Sequence, residues 1–248
     1  MRDRALDWDG CLNVRDLGGH ATEDGGETLL GRVVRADSIR QLTEAGWEAA
    51  VGYGVRTAVD LRFHEELDDD PPAELPIAVV HVSLFGDPDP EWWRELDAKA
   101  ASLGDQAAAT ALVYLETLEQ HGPRFAAAIE AVADADPGGV LVHCAGGKDR
   151  TGLVSALLLR LAGVAPEDVA ADYALSEGFL APRLEEWLAA AADDEERERI
   201  RRISATPAAA MVKVLGQLEQ RYGGAAGYLR AGGAGEDVLE RARARLRD

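Results

Sequence analysis

The sequence predicts an α/β protein with a mostly parallel central sheet flanked by helices and with a helical C-terminal half. Up to residue 143, short β-branched runs alternate with helical patterns, and such alternation favours parallel strands covered on both faces. After residue 150 the pattern is almost wholly helical. The length of 248 residues, with 47% hydrophobic residues, is sufficient for a large core in a single domain that spans residues 1–248.

The elements can be justified in chain order from residue type and periodicity. β-branched runs predict strands at residues 31–36, 55–61, 77–85 and 138–143. Helical periodicity predicts helices at residues 42–53, 91–103, 105–120, 123–133, 151–162 and 166–175, followed by two or three more up to residue 222. A glycine-rich loop at residues 223–237 is expected to precede a last helix at 238–247.

Charge and hydropathy limit the classes of partner. The chain has 26 basic and 45 acidic residues and a formal net charge of −19, which repels nucleic acid and anionic membrane surfaces. No apolar run is long enough to span a bilayer, and the charged N-terminus lacks the apolar core of a signal peptide. We therefore expect a cytoplasmic protein without nucleic-acid binding or stable membrane association; its oligomeric state is left open.

The two cysteines, Cys11 and Cys144, have neither the number nor the spacing of a disulfide framework or a zinc site. The histidines also show no metal-ligand spacing. We therefore expect no metal and no cofactor, and each cysteine is either buried or reactive.

The stretch GGVLVHCAGGKDRTG, residues 138–152, places Cys144 at the turn between a predicted strand and a predicted helix. Such a turn can direct successive backbone N–H groups inward at the positive end of a helix dipole, which creates an anion site. Gly146 and Gly147 are expected to allow positive φ angles and close approach of a ligand. Arg150 offers a planar fork to two phosphate oxygens. The same field stabilises a thiolate, so we expect Cys144 to be an ionised nucleophile.

The segment HCAGGKDRTG, residues 143–152, resembles the H-C-x-x-G-K-D-R-T-G loop of the bacterial protein-tyrosine-phosphatase-like family. The segments NVRDLGG, VVRADSIRQLT, VDLRFHEE and LEQRYGGAAGYLR resemble that family's other blocks in the same order, so the resemblance covers nearly the whole chain. It implies a cysteine-phosphatase-like fold and hydrolysis of phosphate monoesters. The implied substrates are phosphotyrosine proteins or peptides, with phosphoserine, phosphothreonine and phosphoinositides as further candidates.

Each residue of the loop can be given a role. Cys144 attacks phosphorus, while the loop amides from Ala145 onward, together with Arg150, hold the equatorial oxygens. Thr151 either donates its hydroxyl to the thiolate or caps the helix. Lys148 adds a charge for a phosphate-rich substrate, or is merely exposed.

Two residues outside the turn's centre are also candidates. His143 either orients the loop through a hydrogen bond or is a satisfied core group. Arg15, which the resemblance places near the rim of the active site, is a candidate second substrate contact, and the plainer interpretation is that it pairs with Asp16.

The proton donor to the leaving oxygen is less clearly indicated. The resemblance suggests Asp149, inside the loop. Asp60, at the end of a predicted strand, and Asp87, in an acidic loop, are the alternatives, although Asp60 could instead form an ion pair with Arg62 or Arg15.

Two other functions remain open at this point. A rhodanese-like sulfurtransferase also uses a cysteine at the head of an anion-binding turn, although its loop is normally shorter. A catalytically inactive phosphate-binding module would usually lack the cysteine or the arginine, and both are present here.

Overall fold

A computed structural model describes residues 4–69, 74–87 and 89–248 of the chain. The strands are, in chain order, β1 (Arg15–Asp16), β2 (Val33–Ala36), β3 (Val55–Asp60), β4 (Ala78–His81) and β5 (Gly139–His143). They form one sheet in the order β1-β2-β5-β3-β4, in which β1 is antiparallel to β2 and the other neighbours are parallel. The predicted mostly parallel sheet is confirmed, and β5 lies at its centre.

Helices cover the sheet and form the C-terminal half, as predicted. The α-helices of the described residues are α1 (Glu44–Tyr53), α2 (His64–Asp69), α3 (Pro90–Ala101), α4 (Gln106–Ala133), α5 (Arg150–Leu161), α6 (Pro166–Phe179), α7 (Ala181–Ala190), α8 (Asp194–Ser204), α9 (Ala208–Tyr222), α10 (Ala225–Ala231) and α11 (Glu236–Arg247). No helix of these residues has both the length and the continuous apolar character that a membrane crossing needs.

One predicted helix break is confirmed, and one predicted loop is wrong. The break predicted between helices 105–120 and 123–133 is present as a kink within α4, at His121, where φ is −119° and ψ is 22° and the backbone is not helical. Pro123 follows the kink, where its missing N–H is tolerated. The loop predicted at 223–237 contains α10, because Tyr228 and Leu229 are buried in the core and their burial outweighs the glycines around them.

The two faces of the sheet bury separate sets of side chains. In β5, Val140 and Val142 point into the larger core beneath α4 and α5, whereas Leu141 points to the smaller core on the side of α1. This alternation is the period-two pattern of a strand that is covered on both faces. Since β5 is buried along its whole length, the turn that follows it starts from a rigid base.

Candidate active site

The turn between β5 and α5 is held from outside through its carbonyl groups. Each carbonyl oxygen from Cys144 to Asp149 lies within hydrogen-bond distance of a group outside the turn. These groups are His143 Nδ1 (3.3 Å from Cys144 O), Ser38 N (3.0 Å from Ala145 O), Asn13 Nδ2 (3.0 Å from Gly146 O), Arg35 Nη2 (2.8 Å from Gly147 O), Gly152 N (3.0 Å from Lys148 O) and Leu153 N (2.9 Å from Asp149 O).

The backbone N–H groups of residues 145–149 have no acceptor within the described part of the chain. Because a peptide group carries its N–H and C=O on opposite sides, outward carbonyls turn these N–H groups toward the inside of the curve. Successive inward N–H groups at a helix N-terminus form a site for an anion. The helix of this site, α5, begins at Arg150.

The two glycines of the turn differ in their backbone conformation. Gly147 has φ of 64°, and a Cβ there would lie 2.4 Å from the carbonyl oxygen of Ala36. Gly146 does not have a positive φ, and a Cβ there would meet nothing within 4 Å. The prediction that both glycines supply positive φ is therefore wrong for Gly146, where the turn is open on the side that a Cβ would occupy.

Arg15 lies behind the turn and is 1% exposed. Its Nη1 donates to Asn13 Oδ1 at 2.6 Å, and Asn13 in turn donates to Gly146 O. Asp16, the other partner considered for Arg15, instead accepts from the N–H groups of Gly18 and Gly31. The structure therefore connects Arg15 to the turn through Asn13.

A buried carboxylate, Asp172 on α6, organises the arginines behind the turn. It accepts from Arg4 at 2.7 Å, from Arg15 at 3.2 Å and from Arg35 at 2.9 Å. Burial alone would raise the pKa of Asp172, but the surrounding arginines hold it well below its usual value. Since Arg35 also donates to Gly147 O, this cluster fixes the position of the turn.

Arg150 is oriented by groups outside the turn. Its Nη1 donates to Glu66 Oε2 and its Nη2 to Glu66 Oε1 at 2.9 Å, so the two side chains form a two-bond fork. Its guanidinium lies 4.9 Å from the ring centroid of Phe63. Burial lowers the pKa of Arg150, but the nearby Cys144 and the bonds and charge of Glu66 outweigh this and raise it. Arg150 therefore remains charged beside Cys144.

Asp149 and Lys148 lie at the other side of the turn. Asp149 Oδ1 accepts a hydrogen bond of 2.5 Å from the Tyr114 hydroxyl and is 3.5 Å from Lys148 Nζ. Lys148 is largely buried, and its ammonium group donates to the carbonyl of Ile203 at the end of α8. The structure thus ties Lys148 to α8, a contact that neither interpretation of its role predicted.

Asp60 lies beneath the turn rather than in it. It accepts several bonds from Arg62, one of them from Nη2 at 2.8 Å, and lies 3.6 Å from His143 Nε2. Burial lowers the pKa of His143 to about 4, so its ring is neutral at pH 7. The ion pair with Arg62 that was considered for Asp60 is present.

Thr151 is fully buried, and its hydroxyl has no hydrogen-bond partner among the described residues. The N-cap residue of α5 is Asp149, which makes no side-chain capping bond. The hydroxyl of Thr151 therefore caps nothing, and its predicted donation to the thiolate stays a prediction.

A cavity of about 250 Å³ opens over the turn, with Cys144 in its wall. Loop residues, Asp149 and Arg150 among them, line one side, and Leu184 and Trp187 of α7 line the other. Asp60 and Asp87 are not among its lining residues. No periodicity or motif in the sequence identifies Trp187, because its position over the turn depends on how α7 packs. The fold and this turn together define a phosphatase-like protein.

Comparison with known proteins agrees with this class. A sequence model of the tyrosine phosphatase family matches residues 6–248, so the chain belongs to that family. It is 29% identical to a tyrosine-protein phosphatase of Nostoc commune, over 86% of this chain and 73% of the relative. It is 27% identical to the triple specificity protein phosphatase PtpB of Mycobacterium tuberculosis, over 94% of this chain and 96% of the relative. The predicted resemblance and the predicted enzyme class, a protein-tyrosine-phosphatase-like hydrolase, are confirmed.

Proposed function

We propose that this protein phosphatase hydrolyses phosphate monoesters through a covalent intermediate on Cys144. The observation that carries the proposal is the turn whose carbonyls are all bound from outside, because it leaves a set of inward N–H groups around the head of α5. A phosphoryl group bound there meets the sulfur of Cys144 and the guanidinium of Arg150. Anion binding alone requires neither a cysteine nor an arginine. Attack on phosphorus requires the cysteine thiolate, and stabilisation of the developing charge requires the arginine.

The first chemical step forms a bond from Cys144 Sγ to phosphorus and breaks the bond from phosphorus to the leaving oxygen. The loop N–H groups and Arg150 hold the three equatorial oxygens, whose charge they stabilise in the transition state. Asp149 gives a proton to the leaving oxygen. In the second step water attacks phosphorus, the S–P bond breaks, and Asp149 takes the proton from that water, which restores the enzyme.

The remaining residues support this chemistry. Lys148 contributes charge at the rim of the turn, and Thr151 provides a buried hydroxyl for the thiolate. His143, held above Asp60, supports the first carbonyl of the turn. Arg15 acts on the turn through Asn13.

Phosphotyrosine in proteins or peptides is the proposed principal substrate. The phenol ring would occupy the cavity beside Leu184 and Trp187, whose side chains are apolar. A relative carries the name triple specificity protein phosphatase, which supports testing more than one substrate class. The panel includes phosphoserine, phosphothreonine and phosphoinositides, the further candidates from the sequence. No cofactor is required by this mechanism, and we propose that the reaction takes place in the cytoplasm.

The test is phosphate release from p-nitrophenyl phosphate by the wild type, by Cys144→Ser and by the matched control Cys11→Ser. We expect Cys144→Ser to lose more than nine-tenths of the activity, roughly the least that removal of a nucleophile causes, and Cys11→Ser to keep most of it. Substantial turnover by Cys144→Ser would contradict the covalent mechanism. Sulfur transfer from thiosulfate to cyanide, without phosphate release, would favour the sulfurtransferase, and binding without either reaction would favour the inactive module.

A further inference from the structure

The carboxylate of Asp149 is held through one of its two oxygens. Asp149 occupies the N-cap position of α5, with φ of −82° and ψ of −71°, yet its side chain makes no capping bond. Oδ1 accepts from the Tyr114 hydroxyl at 2.5 Å and faces Lys148 Nζ at 3.5 Å. Oδ2 has no partner among the residues that the structure describes. The two oxygens therefore differ: Oδ1 is held by hydrogen bonding, and Oδ2 is available for proton transfer.

The hydroxyl that holds Oδ1 belongs to a buried tyrosine pair. Tyr114 on α4 and Tyr173 on α6 are 4% and 1% exposed, and their hydroxyl oxygens are 2.8 Å apart. Burial and the charge of Asp149 hold the pKa of Tyr114 well above its usual value, so its hydroxyl stays protonated. Tyr114 has one proton to donate, and because that proton goes to Asp149, Tyr173 must donate to the Tyr114 oxygen.

We propose that Tyr114, itself held by Tyr173, is a positioning residue that fixes Asp149 as the proton donor. Donation by Tyr114 to Oδ1 makes that oxygen the acceptor side of the carboxyl group and leaves the transferable proton on Oδ2. The proposal rests on the proposed function, in which Asp149 protonates the leaving oxygen. It adds two residues, one on α4 and one on α6, to that reaction.

The proton balance assigns no transfer to either tyrosine. As the S–P bond forms and the P–O bond breaks, the Oδ2 proton moves to the leaving oxygen and Asp149 becomes a carboxylate. The hydrogen bond from Tyr114 strengthens at that moment because its acceptor gains charge. Tyr114 keeps its own proton throughout. Its hydrogen bond stabilises the Asp149 carboxylate and so favours transfer of the Oδ2 proton to the leaving oxygen.

The hydrogen bond from Tyr114 matters for the orientation of Asp149 because the side chain of Asp149 is 45% exposed. An exposed carboxylate without a fixed partner samples several rotamers, and few of them face the leaving oxygen. The charged and titratable groups that act on Asp149 are Lys148, Arg150, Tyr114 and Tyr173. Arg35 and Glu177 act on Tyr173, and Glu177 lines the same cavity as Asp149. Among these, the structure gives Asp149 a hydrogen bond from Tyr114.

The experiment compares kcat/KM of Tyr114→Phe for an alkyl phosphate, whose leaving oxygen needs a proton, and for p-nitrophenyl phosphate, whose leaving oxygen scarcely does. General acid catalysis contributes roughly 10²–10⁴-fold, so a misplaced acid should lower the alkyl value about 10- to 100-fold and the aryl value less than about 3-fold. The matched control is Tyr228→Phe. It also removes a buried hydroxyl bonded to α4, at the Leu118 carbonyl (2.8 Å), and should change both values equally and little.

A double variant tests whether Tyr114 acts through Asp149. In the Asp149→Asn background, Tyr114→Phe should cause no further loss of kcat/KM with the alkyl substrate. Equal losses with both substrates, or additive losses in the double variant, would overturn the positioning role. If Tyr114→Phe does not fold, Tyr173→Phe is tested instead. Its kcat/KM should fall less than that of Tyr114→Phe, but again more with the alkyl than with the aryl substrate. Equal losses with the two substrates would overturn the proposal.

The same series separates this inference from the proposed function. If Asp149→Asn is selective for leaving group and Tyr114→Phe is not, the positioning role fails and the proposed function stands. If Asp149→Asn shows no selectivity, the assignment of Asp149 fails and the positioning role fails with it. Full activity of Cys144→Ser would instead remove the covalent mechanism itself.

Discussion

Replacement of Glu66 by glutamine tests whether Arg150 is oriented from outside the turn. In the wild type, Arg150 donates from both terminal nitrogens to the Glu66 carboxylate. The carboxylate uses one N–H of each nitrogen, and the Leu61 carbonyl lies 3.5 Å from Nη1. Of the five N–H groups of the guanidinium, this leaves the Nε–H and the second N–H of Nη2 for phosphate. Glu66 therefore orients Arg150 without occupying the donors that a substrate needs.

The size of the effect follows from the exposure of the pair. The side chains of Arg150 and Glu66 are 11% and 28% exposed, so solvent screens their interaction only in part. A hydrogen bond to a charged group contributes roughly 1.5–3 kcal/mol. Glutamine keeps one acceptor oxygen but no charge, so we take the lower end, about 1.5 kcal/mol, which corresponds to about tenfold in rate.

Steady-state kinetics with p-nitrophenyl phosphate should therefore show kcat/KM of Glu66→Gln reduced about tenfold. The matched control is Glu65→Gln, on the exposed side of α2, which should stay within about twofold of the wild type. An unchanged kcat/KM in Glu66→Gln would mean that Glu66 does not orient Arg150. An increased value would mean that the carboxylate competes with the substrate for Arg150.

Three further predictions follow from the groups around the turn. Gly147→Ala should destabilise the protein and abolish activity because the new Cβ would lie 2.4 Å from a carbonyl oxygen of β2, whereas Gly146→Ala should leave the melting temperature unchanged; equal melting temperatures would contradict this. Asp172→Asn should lower the free energy of unfolding by roughly 3–5 kcal/mol in denaturant titrations at pH 7, because it leaves buried arginines unpaired. Because the folded state lowers the pKa of Asp172, the carboxylate contributes its full stabilisation above its unfolded-state pKa of about 4. This stabilisation is lost as the pH falls through the folded-state pKa. An Asp172→Asn variant as stable as the wild type at pH 7 would contradict this role. At pH 6, iodoacetamide should modify Cys144 faster than Cys11, because burial raises the pKa of Cys11. Equal alkylation rates by mass spectrometry would contradict an ionised Cys144. Peroxide should inactivate the enzyme, and a thiol should restore its activity.

The central features could be predicted from sequence because they depend on local pattern. The run at 138–143 is β-branched and is followed by a glycine turn and an apolar helix, and the structure has β5, the turn and α5 in those places. Two-residue β1 could not be predicted, since a strand that short has no periodicity. The helix around Tyr228 depends on tertiary packing, which overrides the local glycine signals.

The site was less predictable than the fold because its supporting contacts join distant parts of the chain. Glu66 stands in a segment recognised by resemblance, but nothing in its spacing connects it to Arg150, 84 positions away. Tyr114 and Tyr173 lie 59 positions apart on different helices. A tyrosine within an amphipathic helix is ordinarily a core residue, so only the three-dimensional structure shows that the hydroxyl of Tyr114 meets Asp149.

Covalent catalysis by Cys144 can be tested directly by trapping the phosphocysteine intermediate. The wild type is mixed rapidly with p-nitrophenyl phosphate, quenched within the first turnover, digested, and analysed by mass spectrometry under conditions that preserve phosphocysteine. We expect one added phosphoryl group on the peptide that contains Cys144, none on the peptide that contains Cys11, and none on either peptide in Cys144→Ser. Rapid p-nitrophenol release without any phosphorylated cysteine, or with the phosphoryl group on another residue, would contradict it.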